Sequence, residues 1–408
     1  MAVELSPAFT RRATVAVLLA IGATIAVLVT TSPTPASMAG VVGGDFPEFI
    51  GAGRLAATGD AAALYDPALQ LEAQRDLVST PGREAILFAY PAAVALPYRW
   101  LSELDYRVAY LLVTSMMTLA VVGACSLLRR VVRRADGGRL GIPELTGALT
   151  FLPLFIGVTG GQVTAIVLVL VAAMLWAADR QHDVALGVAA GLLAFKPQYA
   201  AVALLLLLIG RRWWALAASG ASIVGLWALG AVAVGPAWTV PWLALLRRFD
   251  AVDGGANSAQ EISWMGVSNH LLDGTTAVLL GGAVVAATVS IVAFAWVRSD
   301  RTPTTTAALV VPAALLCAPH ALWYDAGLLV VPIAVIASAL PDRPRHIALG
   351  LCWVGGLGHL VGPSTWIEPT LALVVAVMGL AVMHARRSAA ADRRKDCGEI
   401  LEHSTNVH

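Results

Sequence analysis

Residues 106–134 read YRVAYLLVTSMMTLAVVGACSLLRRVVRR. From Val108 to Leu128 this stretch carries no charged residue, and it ends in two arginine pairs, Arg129/Arg130 and Arg133/Arg134. An apolar run of about 20 residues matches the hydrocarbon thickness of a bilayer, and arginines gather on the cytoplasmic side of such runs. The same pattern recurs along nearly the whole chain. It predicts an all-α polytopic membrane protein of about twelve transmembrane helices. The approximate segments are 13–30, 106–127, 143–159, 162–178, 183–195, 197–210, 213–235, 276–297, 304–318, 322–339, 346–362 and 369–385.

Composition agrees. Of 408 residues, 58% are hydrophobic and only 13% charged, with a mean hydropathy of +0.76, whereas soluble domains carry about 25% charged residues. A soluble cytosolic enzyme, a disordered scaffold and a small secreted disulfide domain are thereby excluded. The formal net charge is +1, and no basic block lies beside an aromatic platform, so no nucleic-acid partner is expected. Cys125, Cys317 and Cys352 lie in apolar runs and Cys397 in the polar tail, without spacing for zinc or haem. They read as small hydrophobes. No Walker loop, dinucleotide glycine fingerprint, HExxH or GxSxG is present, and neither a cofactor nor a metal is expected.

The chain reads as a single integral membrane domain over 1–408, with membrane lipids as its surroundings. The first run follows Arg11 and Arg12 and reads as an uncleaved anchor in preference to a signal peptide, because its apolar region is long and Thr30, Thr31, Ser32 and Pro33 make a poor cleavage context. A cytoplasmic N-terminus places the clusters at Arg129, Arg211/Arg212, Arg298/Arg301, Arg343/Arg345 and Arg386/Arg387 inside, about 19 of the 27 basic residues. Both termini are then cytoplasmic, at the plasma membrane, and residues 386–408 form a basic tail. The stretch 86–101 is short for a crossing and reads as re-entrant or interfacial. Two short helices meeting near Lys196 and Pro197 suit 183–210 better than one. Two large extracytoplasmic segments remain, 31–85, with an interfacial helix around Phe46, Phe49, Ile50 and Leu55, and 236–275, with Trp238, Trp242 and Trp264. The glycine pairs Gly281-Gly282 and Gly355-Gly356, like Gly187 and Gly191, read as close helix packing.

This topology puts Asp45, Tyr90, Gln162, Lys196, Gln198, His320, Tyr324 and Asp325 at helix ends near the external face. Ionisable groups that interrupt apolar runs mark cavities or substrate paths, because an unpaired charge in hydrocarbon costs roughly 3 kcal/mol or more. One shared site is the economical expectation. Asp45, in Gly43-Gly44-Asp45-Phe46-Pro47, can act as a base or cap the following helix. Lys196, one of two lysines in the chain, wants an anion, either a lipid phosphate or a structural carboxylate such as Asp325. Gln162, after Gly160-Gly161, can bind hydroxyls or cap a helix. His320, Tyr324 and Asp325 can together serve a sugar or phosphate site and Trp323 can stack on a sugar face, or the two aromatics can serve as interface anchors.

These residues, taken in order, carry a resemblance. Gly44-Asp45-Phe46 with Gly59 and Leu64-Tyr65-Asp66, then Phe88-Ala89-Tyr90-Pro91, Gly161-Gln162, Lys196-Pro197-Gln198 and Pro319-His320 with Tyr324-Asp325 resemble the polyprenyl-phosphate-mannose-dependent alpha-mannosyltransferases. These are actinobacterial membrane enzymes of the GT-C fold, including phosphatidylinositol mannoside and lipoarabinomannan mannosyltransferases and some arabinofuranosyltransferases. The resemblance spans residues 44 to about 330. It implies an inverting transfer from a polyprenyl-phosphate-linked sugar donor to a glycolipid or lipoglycan acceptor on the extracytoplasmic side. Asp45 would be the catalytic base and Lys196 and His320 would hold the donor phosphate, while Tyr90, Gln162, Gln198, Tyr324 and Asp325 would bind sugar. Two other classes compete. A transporter is disfavoured because no internal repeat is visible and the polar groups gather at one face, and a structural membrane protein leaves Lys196 and the Asp45 loop without a purpose. Within the family, mannose is favoured over arabinofuranose as the sugar transferred.

Overall fold

The computed structural model describes Gly22 and residues 44–77, 86–136, 142–249, 258–364 and 366–405. The rest of the predicted first segment, the choice between anchor and signal peptide, Glu84 and the side chain of Cys397 lie outside the described residues. Among the described residues the backbone is helical and contains no strand, apart from one isolated antiparallel bridge between Glu261 and Leu322. The chain divides into two compact units, the first from Met1–Leu127 and Gly141–Ser258, the second from Leu128–Leu140 and Ala259–His408.

The described helices of the first unit begin with α1 (Phe46–Ala56), α2 (Ala61–Leu64), α3 (Pro67–Gln74) and α4 (Ala95–Leu101). The long α5 (Tyr106–Asp136) follows, its residues from Leu128 onward counted with the second unit, then α6 (Ile142–Thr150), α7 (Leu152–Thr159), α8 (Thr164–Asp179), α9 (Asp183–Leu192), α10 (Pro197–Ile209), α11 (Trp213–Val234) and α12 (Thr239–Leu246). In the second unit lie α13 (Trp264–Leu271), α14 (Gly274–Val297), α15 (Pro303–Cys317), α16 (Val330–Ser338), α17 (Asp342–Gly356) and α18 (Thr370–Thr405).

Every predicted apolar segment within the described residues is helical, but few of the helices are long. Four are long and apolar enough to cross a membrane: α5 over Tyr106–Arg133, α11, α14, and α18 over Thr370–Ser388. A fifth is gained if α7 and α8, bent by 120° at their junction, form one broken span. The predicted crossings at 183–195, 197–210, 304–318 and 322–339 are apolar helices of 10–17 residues. Segment 143–159 divides at Phe151, whose extended backbone precedes α7, with Pro153 accommodated in its first turn. The division of 183–210 falls where the sequence places it. A 3-10 turn over Leu193–Phe195 ends at Lys196, and Pro197 opens α10.

Small residues set the closest helix contact in the first unit. A Cβ on Gly187 of α9 would lie 2.1 Å from the Ala215 carbonyl oxygen of α11, and one on Gly191 would lie 2.4 Å from that of Ser219. The Ser219 hydroxyl uses this approach, donating to the Gly187 carbonyl at 2.9 Å. Helices in lipid gain little from the hydrophobic effect, so van der Waals contact and such hydrogen bonds hold them together. Arg212 ties the same pair from the end, donating to Asp183 at 2.6 Å. In the second unit Gly281 plays a similar part against Met265 and Ser268.

In the second unit, the Trp323 ring stacks on His359 at 3.6 Å and 6°. His359 Nδ1 bonds to Glu368 at 2.8 Å, and the other oxygen of Glu368 accepts from the backbone and hydroxyl of Thr370 at 3.1 and 2.7 Å. Burial pushes the Glu368 carboxyl upward, but the hydrogen bonds from His359 and Thr370 outweigh it and hold the group below its ordinary value of 4.5.

Two measurements follow from this packing. Gly187→Val should drive α9 from α11, costing about 1–3 kcal/mol or more, read as a lower midpoint of thermal unfolding in detergent. A carboxylate whose folded value is depressed stabilises the fold above its unfolded value and loses that contribution as pH falls through the folded one. Unfolding midpoints of the wild type should therefore drop below about pH 4.5, and Glu368→Gln should flatten that acid limb.

Candidate functional site

Asp45 sits immediately before α1, in the N-cap position, but its side chain makes no capping bond. Its carboxylate oxygen Oδ2 instead accepts a hydrogen bond from Nε2 of Gln162. The Gln162 oxygen Oε1 in turn accepts from the Tyr90 hydroxyl at 3.1 Å. Three of the residues singled out in the sequence thus form one chain of hydrogen bonds within the first unit, in the order Tyr90, Gln162, Asp45. The Tyr90 proton fixes the amide's orientation: with Oε1 engaged as acceptor, the amide nitrogen is the atom that faces Asp45.

Gln162 reaches this place because of how α7 ends. Gly160 caps the helix and Gly161 follows with φ +78°, a left-handed conformation that suits glycine. The Gly161 amide bonds to the Val158 carbonyl at 3.3 Å and the Gln162 amide to that of Gly157 at 2.9 Å, the double bond pattern of a Schellman cap. Of its two possible roles, Gln162 therefore ends the helix with its backbone and holds Asp45 with its side chain. The same turn presses on the Asp45 loop. The Asp45 amide donates to the Gly160 carbonyl at 2.9 Å, and a Cβ on Gly161 would lie 2.7 Å from Cβ of Phe46. Tyr110 of α5 secures the end of α7, its hydroxyl donating to the Thr159 carbonyl at 2.7 Å.

Tyr90 is held with equal thoroughness. It ends the irregular stretch 86–90, where side chains meet several of the backbone groups that no helix or strand engages. Buried Gln70 of α3 bonds to both polar groups of Phe88, accepting from its amide at 2.8 Å and donating to its carbonyl at 3.3 Å. Gln74 donates to the Ile86 carbonyl at 2.9 Å, Trp242 of α12 to that of Ala89 at 2.9 Å, and the Tyr65 hydroxyl to that of Tyr90 at 3.0 Å. Phe49 of α1 packs against the rings of Phe88, Tyr90 and Tyr98. Helix α1, expected at an interface, is buried over nine of its eleven residues, Glu48 included.

Four other acids in this region have structural tasks. Asp60 and Asp66 cap α2 and α3 through their side chains. Asp76 pairs with Arg54 at 2.5 and 3.0 Å, and that guanidinium holds its carboxyl below the ordinary value. Glu72 pairs with Arg75. Asp45 differs from them in being half-buried and held by a neutral amide.

Lys196 is 7% exposed and lies at the break before α10, its ammonium 5.8 Å from the centre of the Tyr199 ring. Gln198, two residues on, is half-buried. In the second unit, Tyr324 and Asp325 lie on a 3-10 turn over Trp323–Leu329, with Asp325 buried and Tyr324 half-buried. His320 makes a contact that the sequence reading missed, its Nδ1 pairing with the buried carboxylate of Glu261. The one signal for it was a lone acid in the stretch 258–272, just ahead of Trp264.

A family model described as Glycosyltransferase family 87 matches residues 88–319, more than half of the chain. The chain belongs to glycosyltransferase family 87. No curated protein matches it, nor does any solved structure. Membership and the apolar helices make it a membrane glycosyltransferase, an enzyme that moves a sugar from a donor to an acceptor. The match to family 87 takes in Tyr90, Gln162, Lys196, Gln198 and Glu261, whereas Asp45, His320, Tyr324 and Asp325 lie outside the matched residues.

A Tyr90–Gln162–Asp45 chain that served a reacting carboxylate would have a kinetic signature. Tyr90→Phe lets the amide turn over, and Gln162→Leu removes it. Both should lower kcat, about tenfold for Gln162→Leu, where a hydrogen bond to a charged group is lost, with little change in substrate KM. Increases confined to KM would instead assign the two side chains to sugar binding.

Proposed function

We propose that this membrane glycosyltransferase moves mannose from a polyprenyl-phosphate donor to a glycolipid or cell-envelope glycan, with inversion to an alpha-mannosyl product. The observation that carries the reading is the placement of Asp45, a half-buried carboxylate at the start of α1, gripped by a fixed amide beside a glycine turn. The order of residues shared with the lipid-dependent mannosyltransferases supports the choice of donor.

Inversion needs a base on the face of the sugar opposite the leaving group. Asp45 takes the acceptor hydroxyl proton as that oxygen forms its bond to the sugar's C1. The bond from C1 to the phosphate oxygen breaks, and polyprenyl phosphate departs with the electron pair. A lipid phosphate leaves readily when its charge is balanced, so nearby cations lower the barrier. Lys196, buried where α10 begins, supplies such a charge. His320 is assigned to donor phosphate, and Gln198, Tyr324 and Asp325 to sugar hydroxyls. About twelve transmembrane helices in a GT-C-like arrangement, the short α9, α10, α15 and α16 counted among them, both termini in the cytoplasm and an external active site complete the proposal.

The test is transfer of labelled mannose from polyprenyl-phosphate-mannose to membrane acceptors by purified protein. Wild type should transfer, and well-folded Asp45→Asn should lose about a hundredfold or more of kcat. Undiminished transfer by that variant removes Asp45 as the base. Transfer from a polyprenyl-phosphate arabinose donor alone would change the sugar and keep the mechanism.

A further inference from the structure

Glu261 takes no part in the roles assigned above, yet its two oxygens are divided between a structural and a chemical partner. Its side chain is 6% exposed and that of His320 35% exposed. Oε1 meets Nδ1 of His320, while Oε2 accepts from the Ser263 hydroxyl at 3.1 Å and from the Ala321 amide at 3.1 Å. The chain segments carrying the pair are joined by backbone as well, through the Glu261–Leu322 bridge and the Ile262 amide, which donates to the Ala321 carbonyl at 2.8 Å. Ser263 also caps α13 by accepting from the Gly266 amide. Gly266 is where a side chain would intrude, since a Cβ there would lie 2.4 Å from the Glu261 carboxylate. The frame thus fixes the Glu261 carboxylate beside the His320 imidazole.

A carboxylate that accepts from a hydroxyl, an amide and an imidazole acts as the ionised, acceptor-only form. Nδ1 of His320 then carries its hydrogen toward Glu261, which assigns the ring's other polar atom, Nε2, to whatever His320 contacts beyond it. Carboxylates that orient histidines in this way fix both tautomer and ring direction. A proton on Nε2 yields an imidazolium whose charge Glu261 balances inside the protein, and the ring then presents a directed N–H to an anion.

We infer that Glu261 is a positioning residue of the transfer reaction, holding His320 in the one orientation from which Nε2 binds the phosphate of the donor. The inference rests on the assignment of His320 to donor phosphate, and the two are separable by experiment.

The experiment measures mannose transfer by the full-length protein in nanodiscs, with polyprenyl-phosphate-mannose and acceptor varied independently and free polyprenyl phosphate as a competing anion. His320→Ala, Glu261→Gln and the double variant are compared. The glutamine side chain introduced by Glu261→Gln keeps an acceptor for the Ala321 amide, and thermal unfolding checks that the fold survives. His320→Ala should raise the donor KM and the inhibition constant of polyprenyl phosphate by about tenfold to a hundredfold, the worth of a hydrogen bond to a charged group. Glu261→Gln should raise both by a similar factor, leave the acceptor KM within about twofold, and add nothing in the His320→Ala background, as expected of residues that act as one unit. If Glu261→Gln leaves the donor KM unchanged while His320→Ala raises it, the role of Glu261 is overturned and that of His320 stands. Equal losses from Glu261→Gln in both backgrounds would likewise make Glu261 a structural residue only. An unchanged donor KM in His320→Ala overturns the phosphate assignment, and the role of Glu261 with it.

Discussion

The first unit is organised around a backbone contact between two glycine-bearing turns. Where α7 ends, the Gly160 carbonyl accepts the Asp45 amide and Gly161 lies against Phe46 without room for a Cβ. A side chain cannot be aimed more accurately than the backbone carrying it, and this contact sets the distance between Asp45 and Gln162 before either side chain is oriented. The left-handed Gly161 then turns Gln162 back toward the loop. Around this joint the aromatic rings of Phe46, Phe49, Tyr98, Tyr106 and Tyr110 supply apolar area and restrict movement.

The same economy holds in the irregular stretch 86–90. A backbone without a neighbouring strand must find partners elsewhere, and here glutamine and tryptophan side chains from α3 and α12 supply them. Gln70 is a polar residue buried deep in a mainly apolar chain, and the hydrogen bonds of both ends of its amide explain why it is tolerated there.

Features governed by local covalent geometry were legible in the sequence. Proline after lysine breaks 183–210 where it should, glycines at 187 and 191 permit close packing, and the pair at 160–161 marks a tight backbone approach. Asp45, Tyr90 and Gln162 were singled out by residue type and order, and their mutual hydrogen bonds unite them. Pairings across long stretches of chain were not legible. Nothing local announces that Glu261 will meet His320, because the contact depends on a bridge formed 60 residues away. The number of crossings is a different case: periodicity cannot distinguish a full span from a short helix that stops within the bilayer, nor does it register a bend such as that between α7 and α8, which falls at the Gly160-Gly161 cap.

The Tyr90–Gln162–Asp45 chain also bears on when the enzyme becomes competent. Asp45 is 117 residues ahead of Gln162, and Ala89 is 153 ahead of Trp242. At a synthesis rate of about 5–20 residues per second, roughly 6 to 23 seconds separate the carboxylate from the amide that grips it. The indole that secures Tyr90 comes later still. A nascent chain at the translocon therefore carries Asp45 before its supports are made, and the hydrogen-bonded chain closes only as the later helices enter the fold.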